Sequence, residues 1–255
     1  MHKGAKVQRS EIYSLVRELI SSFKSFANRQ YVKWFNVTAV MHHGIQRSGT
    51  NYLNELLVQK RYFVINRHDP MRGSRFHKHC RWQPEKSRVL MDVSYRNSFL
   101  CNTIEELNQF CGFKEKQKHV VLFKKPGAWL DSINRWAEKC GWQVANQVDF
   151  LNLALVEWDD YYFFWQKFAT ESPDKVMLLN YELLKSEPCR AMATVDEFIG
   201  AGSNIELVNG GVLNQVSHSS LRADEPLGDA LRAVSNPVNE LIGCHEFRFD
   251  WSGRS

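Results

Sequence analysis

No stretch of this chain stays apolar for the ~18 residues that a membrane-crossing helix needs. Before Lys24 there are basic residues but no apolar core of signal-peptide type. Both absences lead to the expectation of a cytoplasmic chain with no membrane insertion. Paired cysteines are missing as well. Cys80, Cys101, Cys111, Cys140, Cys189 and Cys244 are scattered, and no C-x-x-C pair occurs. At 255 residues a full core can form without staples, so reduced thiols are expected. Charge of one sign is scarce: the net charge is only +5 and it is dispersed. That suits a small anionic ligand and argues against a nucleic-acid partner. Internal repeats and low-complexity segments are also absent, so no solenoid or tail is anticipated.

What is present reads as one α/β domain over residues 1–255, since no linker composition interrupts it. Ile12, Leu15, Val16, Leu19, Ile20 and Phe23 recur at helical spacing after Ser10, predicting an N-terminal helix within residues 1–30. Asn36–His43 reads as a strand and Thr50–Gln59 as the helix that follows. Residues 61–84 are basic and aperiodic, as expected of loops or short pieces. Val89–Val93 reads as a short strand, Ile104–Phe110 as a helix, and His119–Lys124 as a strand buried on both faces. Pro126 opens a further helix. From Asp149 to Phe168, Leu151, Leu155, Trp158, Tyr161, Tyr162 and Trp165 form an apolar stripe, read as core rather than as a ligand shelf. Lys175–Asn180 is a third buried-type strand, after Asn36–His43 and His119–Lys124; Tyr181 opens a helix, and Ala191–Ile199 is another. Residues 200–255 look less regular, with one short helix over Val238–Ile242. Strands alternating with helices predict a mainly parallel sheet flanked by helices.

Ligands of such sheets bind at the carboxyl ends of the strands. Gly44-Ile45-Gln46-Arg47-Ser48-Gly49-Thr50-Asn51-Tyr52 follows the first strand and opens the first helix. Strand, glycine loop and helix aim backbone N–H groups at an anion. Two glycines flank four residues, as in a Walker A loop, yet Thr50-Asn51 stands where that loop has Lys-Ser/Thr. Arg47 is the loop's one cation. A site without that pair is poorly made for a magnesium triphosphate, and no metal is required by this reading. Lys124 and Ser132 follow the next strand, and Tyr181 the last.

Together these segments resemble the sulfotransferases that use 3′-phosphoadenosine 5′-phosphosulfate. Arg47-Ser48-Gly49-Thr50 is similar to that family's 5′-phosphosulfate loop. Lys124 through Ser132 is similar to its 3′-phosphate motif, in which a cation and a serine eight residues later hold the phosphate. The family usually has Arg first, so Lys124 keeps the charge but loses the bidentate fork. Leu178-Leu179-Asn180-Tyr181-Glu182-Leu183-Leu184 is similar to a strand-then-tyrosine signature near the adenine, and Tyr52 falls where relatives place an aromatic residue. The resemblance covers residues 37–188. It implies a P-loop NTPase-like sulfotransferase fold, with Gln46 through Tyr52, Lys124, Ser132 and Tyr181 as cofactor-binding residues. It also implies a sulfuryl transfer to a hydroxyl or amine acceptor.

Such an acceptor needs a general base. The basic loop offers His68, His77 and His79, and the Lys78-His79 pair resembles one in relatives with an R-S-G-T-N-Y loop. His79 is therefore placed first among the three. Glu55, one helical turn after Asn51, is a more remote candidate. His77, His79 and Cys80 lack the second ligand pair of a zinc finger. Basic and aromatic residues suit a carbohydrate or another small acceptor. Two rival readings remain open: a P-loop kinase or NTPase lacking the Walker lysine, and a non-catalytic relative binding an anion or glycan.

Overall fold

β-branched and long apolar residues build a small parallel sheet whose strands are buried along nearly their whole length. A computed structural model describes residues 27, 30, 32, 34, 37–67, 78–79, 82, 101–111, 116–142, 146–200, 238 and 240–251. The helix anticipated over residues 10–26, the strand over 89–93, and His68 and His77 lie outside the described residues.

Strand β1 (Ala39–His43) is buried at every position, and helix α1 (Thr50–Gln59) follows it after the glycine loop. Leu53, Leu56 and Leu57 form the buried stripe of α1. Next comes β2 (Phe63–Val64), which the sequence reading had left inside the basic loop region. Helix α2 (Ile104–Cys111) precedes β3 (Gln117–Phe123), and Pro126 occupies the first turn of α3 (Pro126–Lys139). Asn146 caps α4 (Gln147–Glu171) by accepting from the Val148 N–H at 2.9 Å. Strand β4 (Val176–Asn180) leads into α5 (Tyr181–Ser186) and α6 (Pro188–Ile199), which stops at left-handed Gly200.

The sheet order is β2-β1-β3-β4 and every pairing is parallel. The expected mainly parallel α/β sheet is thus present, with four strands among the described residues. Two apolar layers cover it. Val40, Val120, Leu122 and Leu179 pack with α1 and α6 on one face. Ala39, Met41, Val121 and Phe123 pack with α2, α3 and α4 on the other. The aromatic stripe of α4 is core, as the spacing predicts: Trp158, Tyr162 and Trp165 are fully buried. Part of the less regular C-terminal region joins it. The buried Asp159 carboxylate accepts the backbone N–H groups of Arg248 (3.0 Å) and Phe249 (2.9 Å), fixing the Phe249 ring against Phe123, Trp158 and Tyr162.

The chain leaves β1 toward β2 over one face and leaves β3 toward β4 over the other. The crevice between the carboxyl ends of β1 and β3 is therefore the switch point of the sheet, where ligands of open α/β folds bind.

Candidate anion-binding site

The loop leaving β1 begins with a close approach that only glycine permits. A Cβ on Gly44 would lie 2.7 Å from the Thr50 methyl and 2.8 Å from the Leu122 carbonyl oxygen. The chain then turns tightly. The Ser48 N–H donates to the Ile45 carbonyl at 3.1 Å and the Ser48 hydroxyl donates to the same oxygen at 2.7 Å. Within this turn Arg47 has φ 66°, a left-handed conformation that side chains with a Cβ rarely adopt. Gly49, at φ 94°, caps α1 without a side-chain acceptor, and no acid occupies the first helical turn.

Two consequences follow for the backbone amides. Ser48 spends its N–H inside the turn, so that amide is not available to an anion. The N–H groups of Gly49, Thr50 and Asn51 have no acceptor among the described residues. These three amides, at the positive end of α1, form the available anion cradle.

Three aromatic residues hold the loop and the end of β3. The Tyr162 hydroxyl donates to the Leu122 carbonyl at 2.9 Å and lies 3.4 Å from the Ile45 N–H, which donates to it. The Trp129 indole donates to the Gln46 carbonyl at 2.6 Å, and the Trp158 indole donates to the Lys124 carbonyl at 3.1 Å. Periodicity marks Tyr162 and Trp158 only as apolar-face residues, and Trp129 falls on the buried side of α3. Their polar tips register the β1 loop against the end of β3, which spacing alone does not reveal.

Arg47 and Ser132, from separate motifs, meet directly: Arg47 Nε donates to the Ser132 hydroxyl at 3.4 Å. The guanidinium lies 4.7 Å from the centre of the Trp136 ring. Burial, reinforced by Arg135, lowers its pKa from the ordinary arginine value. Lys124 reaches over Tyr181, 5.3 Å from the ring centre. Burial pulls its ammonium down to about 8, with Arg135, Arg47 and Lys185 adding to the fall and Glu182 opposing it. Tyr181 also packs on the loop, since a Cβ on Gly49 would lie 2.5 Å from its ring. Tyr52 is buried in the adjoining apolar layer, and its hydroxyl has no hydrogen-bond partner among the described residues.

Lys78 and His79 close the loop from the β2 side. Beyond Val64 the sheet edge is completed by a side chain: Asn66 accepts from the His42 N–H (3.2 Å) and donates to its carbonyl (2.7 Å). The next backbone N–H, that of Gly44, donates to the Lys78 carbonyl at 3.1 Å. Lys78 Nζ donates to Asn51 Oδ1, and His79 Nδ1 donates to the Gly44 carbonyl at 2.6 Å. That bond sets the His79 tautomer, putting the lone pair on Nε2. Glu55 is exposed and joins none of these contacts.

Of the sequence candidates, then, Gln46 through Tyr52, Lys78-His79, Lys124, Ser132 and Tyr181 converge on one crevice. Among the described residues no group of three or more His, Cys, Asp or Glu side chains is arranged to hold a metal ion. No protein-family model matches this chain, and no curated protein matches it.

Proposed function

We propose that this chain is a sulfotransferase. On this reading it moves a sulfuryl group from 3′-phosphoadenosine 5′-phosphosulfate to a hydroxyl or amine of a carbohydrate or other small acceptor. The observation that carries this reading is the pairing of two anion anchors across the switch point. One is the unclaimed amides of Gly49, Thr50 and Asn51; the other, read from the sequence motif that joins β3 to α3, is Lys124 and Ser132, and Arg47 reaches from the loop to the Ser132 hydroxyl. A donor bearing phosphosulfate at one end and phosphate at the other needs two such anchors.

In the reaction the acceptor oxygen or nitrogen attacks sulfur, and the bond from sulfur to the 5′-phosphate oxygen breaks. Negative charge grows on that leaving oxygen, and the loop amides and Arg47 can meet it without reorganising. The acceptor's proton goes to His79 Nε2, whose lone pair the bond to the Gly44 carbonyl maintains. His68 and His77 are the alternative bases. The second product is 3′-phosphoadenosine 5′-phosphate, and the chain's own cations do the work given to magnesium in a Walker-type site.

Calorimetry with 3′-phosphoadenosine 5′-phosphate tests the reading. Binding is expected, weakened about tenfold in Ser132→Ala, which loses one phosphate hydrogen bond. No binding at millimolar ligand overturns it, as does tighter binding of magnesium ATP.

Lys124 adds a pH signature. Its ammonium is charged below about 8 and neutral above, so affinity for the bisphosphate should hold from pH 6.5 to 7.5 and then decline. At pH 9 the dissociation constant is expected to be about tenfold higher than at pH 7. Lys124→Arg, which stays charged, should flatten the profile; a parent profile that is already flat contradicts the assignment.

A further inference from the structure

We infer that Arg135 is a third anion anchor, serving the Lys124–Ser132 end of the crevice and recognising the second phosphate of a bisphosphorylated nucleoside. The assignment rests on the nucleotide reading proposed above. Helical register places Arg135 one turn beyond Ser132 and next to Trp136, the two α3 residues that Arg47 touches at 3.4 Å and 4.7 Å. Its charge is felt at both anchors: it lowers the pKa values of Arg47 and Lys124 together. It acts on Asp131 as well, opposing the upward push that burial gives that carboxyl.

Arg135 is exposed and makes no hydrogen bond or ion pair among the described residues. Arg47, Arg135 and Lys124 thus lie within reach of one another's charge, with Asp131 and Glu182 as acidic neighbours. Like charges this close repel until an anion sits between them. Arg47 is partly buried, whereas Arg135 is exposed one helical turn beyond Ser132. That position fits a terminal phosphate better than the reacting phosphosulfate. In sequence Arg135 reads as the solvated face of an amphipathic helix, so only the register with Ser132 and Trp136 brings it forward.

Arg135→Gln tests this on the whole protein, because an exposed side chain without partners can be changed with the melting temperature held. Calorimetry should compare 3′-phosphoadenosine 5′-phosphate with adenosine 5′-monophosphate. The variant is expected to bind the bisphosphate about tenfold more weakly while its affinity for the monophosphate stays within about twofold, and Arg135→Lys should restore part of the loss. If the parent binds no bisphosphate, the nucleotide reading falls and takes this assignment with it. If the parent binds and Arg135→Gln matches it, or weakens both ligands equally, the assignment alone is overturned.

Discussion

Acidification from pH 7 to pH 5 is expected to remove about 4 kcal/mol of folding stability through His42 and His119 alone. Both rings are fully buried, and burial pulls each down to about 3, with Lys78 adding to the fall at His42. His43 is pushed well below its ordinary value in the same way, by burial first and then by His119 and His42. The geometry explains why a proton cannot enter. Asn108 donates through Nδ2 to the Gln117 carbonyl at 3.4 Å, which turns its Oδ1 toward His119 Nε2 at 2.7 Å. His119 Nε2 therefore carries the hydrogen, and its Nδ1 accepts from His43 Nε2 at 2.9 Å. A second proton on His119 would set two donors against each other beneath the Trp165 ring.

Above pH 6.5 these histidines are neutral whether the chain is folded or not, so they contribute no pH dependence. Below it the unfolded chain takes up protons that the fold refuses, and stability falls until about pH 3. Each of His42 and His119 accounts for about 2 kcal/mol by pH 5, against a total of about 5–15 kcal/mol for an ordinary domain. Urea midpoints at pH 7.5, 6 and 5 should drop steeply. His119→Gln should shallow the slope by about 1.4 kcal/mol per pH unit below 6.5. Midpoints constant across that range would show that the rings are charged, or exposed, in the native state.

The same histidines mark where sequence reading reaches its limit. His42 and His43 are adjacent in the chain, and a strand end was a fair guess for them. Their separation onto opposite faces follows from strand alternation, but the bond to His119 needs the β1–β3 register, in which Met41 stands opposite His119. Contiguous motifs fared better. Gly44 through Tyr52 carries its own turn, its positive-φ residue and its helix start in nine consecutive residues, so strand, loop and helix were all readable. Helix α3 announced itself through Pro126. Strand β2 did not, because two residues in a basic stretch show no periodicity and the Asn66 side chain finishes the edge in place of a strand. Nor could the sequence tell a Trp129 or Trp158 that packs inertly from one whose indole holds a loop carbonyl. Both kinds satisfy the same apolar stripe.

Arg47→Gly is expected to separate stability from function more sharply than any other change in the crevice. Arg47 sits at φ 66°, where an arginine is strained by about 1 kcal/mol and a glycine is not. Removing the side chain also removes repulsion from Arg135 and Lys124. Against these gains stands the loss of the stack on Trp136, about 0.5–1 kcal/mol at a partly exposed site. The terms nearly cancel, so the melting temperature should move by no more than a few degrees. Transfer should respond very differently. On the proposed transfer reaction, loss of the guanidinium leaves the charge growing on the leaving oxygen to the backbone amides alone, and the rate is expected to fall by about 10²–10³. Arg47→Lys keeps the charge but loses the planar fork and the flat stack, and should fall between the two. An arginine kept in a conformation that favours glycine implies that its side chain is needed there. A merely structural arginine would give the opposite pattern: Arg47→Gly would melt far below the parent, and its nucleotide affinity and transfer rate, measured on the folded fraction, would be unchanged. That result would end the role assigned to Arg47.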